Sequence, residues 1–332
     1  MNKSGNIETL FDLDTEFLKK EFIQKCKPVI IKGAIKNWPA FAKWNIEYLI
    51  QNIGKVLVKF KCANDSLFPN PNTFDGIEQF LVQETTFAEY LKLLTQNNIN
   101  KIDKSWFFLN GDEVCFVEEG LPNDQFNIIA SDFSLPLFIP DNNLETIGLW
   151  VSKRGTASSI HYDSNGCHNF NAQIQGSKRV VLFEPKEYQK LYMRTMTKDH
   201  SFHNFSNANW RELNYNKFPD LKDVQYIEGI LEPGDALFTP VFWLHYFDHL
   251  GEMNINVNFW WQPTEINLNP VSLSWLLGRA LAEMSQCTEN LSQHDSANEF
   301  SKLFPSEEML NFSKKLERIF HSWSNGRPGR LC

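Results

Sequence analysis

At 332 residues, with 42% hydrophobic and 14% aromatic content, the chain is long enough to bury one large core, or one main domain with helical additions. A formal net charge of -8 excludes a global basic field that would gather phosphates, so nucleic-acid binding would need a local patch. The six cysteines (Cys26, Cys62, Cys115, Cys167, Cys287 and Cys332) form no CxxC pair and read as reduced thiols. Neither a signal-peptide core nor an apolar run of about 20 residues is visible, so the expectation is a soluble protein of the cytoplasm, or of the nucleus in a eukaryote.

In chain order, Asp14 caps a predicted helix to about Cys26, with Phe17, Leu18, Phe22 and Ile23 on one face. KPVIIKGAIKNWPA reads as a buried strand ending in a turn. Asn45 begins a second amphipathic helix through Tyr48, Leu49 and Ile53, and KVLVKFKC reads as a strand. Residues 64 to 76, rich in Asn and Pro, read as loop. Thr86 caps a helix carrying Phe87, Tyr90, Leu91 and Leu94, SWFFLN begins another strand, and residues 111 to 146 read as irregular.

From Gly148 the pattern changes to six short strands with turn signals: GLWVSKRG, SSIHYD, HNFNAQIQG, KRVVLFEP, GDALFTP and NINVNFWWQP. They predict a mainly β fold with flanking helices, a double-stranded β-helix or jelly roll. Residues 186 to 229 read as a long insertion between the fourth and fifth strands. Two helices, at about 271 to 285 and 306 to 323, close the chain. The expected organisation is an α/β portion over 1–147 continuous with the core, a jelly-roll core over 148–263, and a helical region over 264–332.

Within SSIHYDS, His161 and Asp163 are two apart, so an extended strand presents both on one face. His245 lies far along the chain, where a strand following a Gly-Asp turn leads into it. Two histidines and a carboxylate on one side of a metal form the facial triad of non-haem iron(II) oxygenases, with positions left open for co-substrate and oxygen. An HxD pattern alone is more often a surface or core histidine than a ligand, so the surrounding sequence has to decide.

That surrounding sequence, HYD at 161, HNFNAQIQGSKRVVLFEP at 168, EPGDALFTPVFWLH ending at 245 and VNFWW ending at 261, resembles the JmjC/cupin-8 family of iron(II)- and 2-oxoglutarate-dependent oxygenases over residues 148 to 263. PVIIKGAIKNWPA and FPDLKDV are similar to the smaller cupin-like JmjC hydroxylases, among them the asparaginyl hydroxylase acting on hypoxia-inducible factor. The resemblance implies that His161, Asp163 and His245 hold iron. It implies that Lys178 grips the distal carboxylate of 2-oxoglutarate with help from Ser158, and that Asn169 and Asn258 lie near co-substrate and metal ligands. For both amides a core hydrogen-bonding role stays open, as does a plain core role for Trp260. Arg179 is the rival to Lys178, but alternation puts the two on opposite faces. A tyrosine of the family is replaced within SWFFLN by Phe107 or Phe108.

His168 beside Asn169 is a candidate decoy. His249 could support the site and Asp248 could orient a ligand. His200 and His203 have a metal-compatible spacing but read as loop surface. The resemblance implies a dioxygenase that hydroxylates an amino-acid side chain of a protein or peptide, releasing succinate and CO2. The alternatives are the same chemistry on a small molecule or modified RNA base, demethylation of methyl-lysine, or a catalytically silent cupin-like binding protein. A homodimer through the C-terminal helices is also expected, because Leu273, Trp275, Leu276, Leu277 and Leu281, with Met309, Phe312, Leu316, Ile319, Phe320 and Trp323, exceed what one free surface carries. Intramolecular packing of the same helices is the alternative.

Overall fold

The computed structural model describes residues 1–62, 67–68, 81–95, 108–109, 127–194, 204–264 and 269–275. Seven strands precede the core: β1 (Asn2–Asn6), β2 (Thr9–Leu10), β3 (Val29–Ile31), β4 (Leu57–Cys62), β5 (Leu67–Phe68), β6 (Leu81–Thr86) and β7 (Phe108–Leu109). Eight more follow: β8 (Leu144–Lys153), β9 (Ala157–His161), β10 (His168–Gln175), β11 (Lys178–Phe183), β12 (Gln225–Leu231), β13 (Ala236–Thr239), β14 (Leu244–His249) and β15 (Met253–Trp261). One sheet has the order β1-β12-β11-β14-β9-β5 and a second β2-β3-β13-β10-β15-β8, while β6-β4-β7 form a small third sheet. The two large sheets face each other as the expected jelly roll.

Strict alternation along β10 and β15 decides which side chains face inward. Phe170, Ala172 and Ile174, with Ile255, Val257, Phe259 and Trp261, point outward into the main core. There Trp44, Leu49, Phe87, Tyr90 and Leu91 of the N-terminal helices cover them. The intervening positions, Asn169, Asn171 and Gln173 on β10 and Asn254, Asn256 and Asn258 on β15, face the interior between the sheets. On the other sheet Val181, Phe183, Leu244 and Tyr246 are covered from outside by Leu191, Phe218 and Leu221 of the connection after β11. The interior itself is divided. One part is a dry plug of Ile7, Ile30, Val180, Leu182, Leu231 and Leu237, and the other is lined by amides, histidines and a lysine.

The caps lie where the sequence puts them. Asp14 accepts from the backbone N–H of Glu16 and Phe17, both at 3.0 Å, Asn45 Oδ1 from that of Tyr48 at 2.9 Å, and Thr86 Oγ1 from that of Glu89 at 3.3 Å. The first helix departs from expectation. It is α-helical only over Thr15–Leu18, widens to a π-turn over Lys19–Ile23, and stops before Cys26, whose φ of 48° is left-handed.

Two other segments correct the sequence reading. The stretch from 186 to 229 is not all insertion, because β12 begins at Gln225 and pairs with both β11 and β1. Its apolar rhythm is weak because the central inward position is Gly229, where any Cβ would come within 2.8 Å of Ile30. His245, in turn, lies in a strand of its own, β14, separated from β13 by a turn in which Phe242 is left-handed at φ 64°.

Residues 270 to 275 are helical, capped by Asn269 Oδ1, which accepts from Val271 and Ser272 N–H at 2.9 and 3.0 Å. The rest of that expected helix, the helix at 306–323, Phe107, His200 and His203 lie outside the described residues. Among the described residues no helix is long and apolar enough to cross a membrane, and Cys26 and Cys167 are free thiols.

Candidate metal centre

Register brings the donor residues together. His161 ends β9 directly opposite His245 on β14, and Asp163 follows two residues on. Their ligand atoms all lie within 4.8 Å of one another. His161 Nε2 and His245 Nε2 are 3.1 Å apart, and Asp163 Oδ1 is 4.0 and 3.6 Å from them. Each imidazole is oriented from behind: Nδ1 of His161 donates to the Ser159 carbonyl at 2.7 Å, and Nδ1 of His245 to the Trp243 carbonyl at 3.0 Å. With the proton on Nδ1, both Nε2 atoms carry lone pairs that face one another. Two such lone pairs at 3.1 Å repel unless a cation lies between them, which is the arrangement a metal site requires.

Electrostatics agree with that reading. Burial, then the neighbouring His245, pushes His161 down to about 3, so it is neutral at physiological pH. Burial alone would raise the Asp163 carboxyl, but His245, His161 and an Asn169 hydrogen bond outweigh it and hold it well below the usual carboxylate range. Oδ2 of Asp163 accepts from Asn169 Nδ2 and from Trp260 Nε1, both at 3.0 Å, which leaves Oδ1 turned to the histidines. Trp260 reaches it because its indole lies over Gly148, where a Cβ would meet the ring at 2.9 Å. Phe205 stacks on His161 with centroids 4.8 Å apart and shields one side of the cluster.

Deeper in the same interior, Lys178 is 3% exposed and has no carboxylate partner among the described residues. Its ammonium donates to Asn256 Oδ1 and lies 5.8 Å from the Phe247 ring, and burial pushes it down to about 7. Such a cation calls for an anion. Lys178 is opposite His249 in the register and His245 is opposite Leu182, so the two sites are about 13 Å apart along the strands. A lysine side chain and a short diacid can fill that gap.

Ser158 is three residues before His161, and simple alternation would oppose them. A register shift between His245 and Phe247 instead pairs Ser158 with Phe247, on the inward face that Lys178 shares. Asn258 Nδ2 donates to Asn169 Oδ1 at 3.0 Å, so these two amides touch each other and, through Asn169, the metal-facing carboxylate.

The remaining candidates fall elsewhere. Arg179 faces outward and pairs with Glu228 at 2.5 Å. His168 accepts from Val241 N–H at 3.0 Å and packs against Phe238 and Trp261, away from the cluster. Asp248 is outward, bound to Arg211 and Tyr246, and orients no ligand. His249 bonds Ser152 rather than a member of the triad. Asn256 is a residue the sequence reading passed over, although N-I-N-V-N in β15 shows a two-residue amide period that puts Asn254, Asn256 and Asn258 on one face.

A jelly roll with two histidines and one carboxylate on one side of its mouth has the architecture and donor set of the non-haem iron(II) oxygenases, and these donors suit that metal. Comparison with known proteins agrees: the chain belongs to the cupin-like domain family, which matches residues 14–266, and within it to the JmjC family of iron(II)- and 2-oxoglutarate-dependent oxygenases. It is 30% identical over 246 residues to lysine-specific demethylase 8 of Xenopus tropicalis, covering 74% of this chain and 50% of that protein. It is 26% identical over 258 residues to lysine-specific demethylase JMJ30 of Arabidopsis thaliana (77% and 54%), and 29% identical over 259 residues to HSPB1-associated protein 1 of Homo sapiens (75% and 51%). The chain spans about half the length of these relatives.

Proposed function

We propose that the protein is an iron(II)- and 2-oxoglutarate-dependent dioxygenase that hydroxylates an amino-acid side chain in a protein or peptide, releasing succinate and CO2. The observation supporting this reading most is a buried lysine, without a carboxylate partner among the described residues, at a distance that its side chain and a short diacid can span from a two-histidine, one-carboxylate cluster. Iron(II) with 2-oxoglutarate would supply the oxidant that places one oxygen atom into a C–H bond. His161, Asp163 and His245 would hold the metal on one side, with Asn169 and Trp260 fixing the carboxylate and two backbone carbonyls fixing the imidazoles. Lys178 would bind the distal carboxylate of the co-substrate with Ser158 beside it, while Phe205 and Phe247 exclude water. Asn169 and Asn258 would bound the co-substrate pocket. A cytoplasmic or nuclear location and a homodimer through the C-terminal helices complete the proposal.

Demethylation of a methyl-lysine is the second reading, carried by the names of two of the relatives above. A peptide library incubated with iron(II), 2-oxoglutarate and the protein separates the outcomes. Succinate with a product heavier by one oxygen supports hydroxylation, and loss of a methyl group supports demethylation. Succinate only with small molecules or RNA moves the reaction to those substrates. No succinate with any of these supports a silent binding protein.

A further inference from the structure

The interior amides form a continuous chain. Lys178 Nζ donates to Asn256 Oδ1, and Asn256 Nδ2 donates to Asn258 Oδ1. Asn258 Nδ2 then donates to Asn169 Oδ1 at 3.0 Å, and Asn169 Nδ2 to Asp163 Oδ2 at 3.0 Å. Four bonds thus connect the buried ammonium to the carboxylate at the metal centre, crossing from the first sheet at β11 to the second at β15 and β10, and back to the turn after β9.

Its polarity is not arbitrary. An ammonium can only donate and an ionised carboxylate can only accept, so both ends force every amide between them to point its NH2 group toward Asp163. Each of the three amides has its carbonyl on the lysine side and its NH2 on the aspartate side, with no frustrated contact along the path. Aligned hydrogen bonds in a buried interior of low dielectric polarise one another, so what happens at one end alters the strength of the bond at the other.

On the reading proposed above, we infer that Asn256 is a positioning residue that couples the co-substrate's charge site to the metal-binding carboxylate: its oxygen fixes the Lys178 ammonium, and its NH2 group starts the chain that orients Asp163. An ammonium has three donors, so one can stay on Asn256 while the others meet a carboxylate. Loss of the chain should therefore loosen metal and co-substrate together, although Asn256 is not placed among the metal ligands.

The test compares Asn256→Thr with Asn256→Val. The two side chains have nearly the same shape, but only the threonine hydroxyl can accept from Lys178 and donate to Asn258. Manganese(II) affinity of the full chain without co-substrate, and 2-oxoglutarate affinity of the manganese form without oxygen, are measured for both. Asn256→Val is expected to weaken metal binding by roughly tenfold, the scale of a lost supporting hydrogen bond at a ligand, and co-substrate binding by a similar factor. Asn256→Thr should stay within about twofold of wild type, and in a Lys178→Met background the two variants should become alike. Equal metal affinities for the Thr and Val variants, or a Val effect on co-substrate alone, overturn the coupling. If Asn256→Val does not fold, Asn256→Ser against Asn256→Ala poses the same question. A wild-type chain that binds neither manganese nor 2-oxoglutarate would refute the dioxygenase reading and the coupling with it, whereas a binding wild type with indifferent variants refutes the coupling alone.

Discussion

Binding of 2-oxoglutarate should take up a proton at pH 8 but hardly at pH 6, and Lys178 should be the group that takes it. Burial lowers this lysine from 10.5 to about 7, a fall equivalent to about 5 kcal/mol of lost hydration of the ammonium. In the empty pocket about nine in ten molecules are neutral at this position at pH 8, and about one in ten at pH 6. A bound carboxylate restores the charge, so uptake should approach about 0.9 proton per site at pH 8 and about 0.1 at pH 6. His249, the titratable group opposite Lys178, is itself held well below its usual range by burial, then by Lys178 and Arg211. Calorimetry of the manganese form in two buffers of different ionisation enthalpy reads the uptake directly. Uptake that is the same at both pH values, or that survives in Lys178→Met, would refute the argument. The sign for stability follows from the same lowered value: between about pH 7 and 10.5 the unfolded chain holds this proton longer than the folded protein, so its contribution to stability rises with pH across that window.

Asp163→Ala removes the only anionic donor of the cluster, and succinate release should fall to background, with full turnover contradicting the ligand assignment. Arg179→Ala should leave 2-oxoglutarate affinity unchanged and cost about 1–2 kcal/mol of stability, because it breaks the partly exposed pair with Glu228 and the stacking of the guanidinium over Trp210, whereas Lys178→Ala should weaken co-substrate binding by about 2–5 kcal/mol. A reversed result in the same titration would mean that the register of β11 is wrong. Light scattering at micromolar concentration should give a dimer that dissociates when Leu316 and Phe320 are replaced by polar residues, and a monomeric intact chain would eliminate the dimer.

The residues that sequence reading brought together share one property, a periodicity that short-range sequence displays. The paired Lys178 and Arg179 on opposite faces and the apolar rows of β10 and β15 follow from a two-residue repeat, whereas of the HxD pair only His161 is on a strand, Asp163 lying just past the end of β9. What escaped depends on contacts distant in sequence. NKSGN has no apolar rhythm and becomes β1 only because β12 offers an edge to pair with. β12 in turn hides behind Gly229, whose value is the space it leaves for Ile30. Ser158 faces inward through a register shift that no local pattern signals. The role of Asn256 depends on Lys178, 78 positions earlier in the chain, whose ammonium ends on it.

The position of β15 has a consequence for the order in which the molecule can assemble. This last described barrel strand is not an edge strand; it inserts between β10 and β8, pairing with β8 from Met253 to Trp261 and with β10 from Ile255 to Trp261. Until residue 261 has left the ribosome, β8 has no neighbour in its sheet and β10 keeps one edge open. The sheet therefore cannot grow by adding strands in sequence and must close by a late, long-range pairing, the kind of topology that folds slowly and exposes strand edges meanwhile. Trp260 and Asn258, which hold Asp163 directly or through Asn169, arrive with that same strand. The nascent chain accordingly carries all three candidate metal donors before β15 supplies the side chains that hold Asp163.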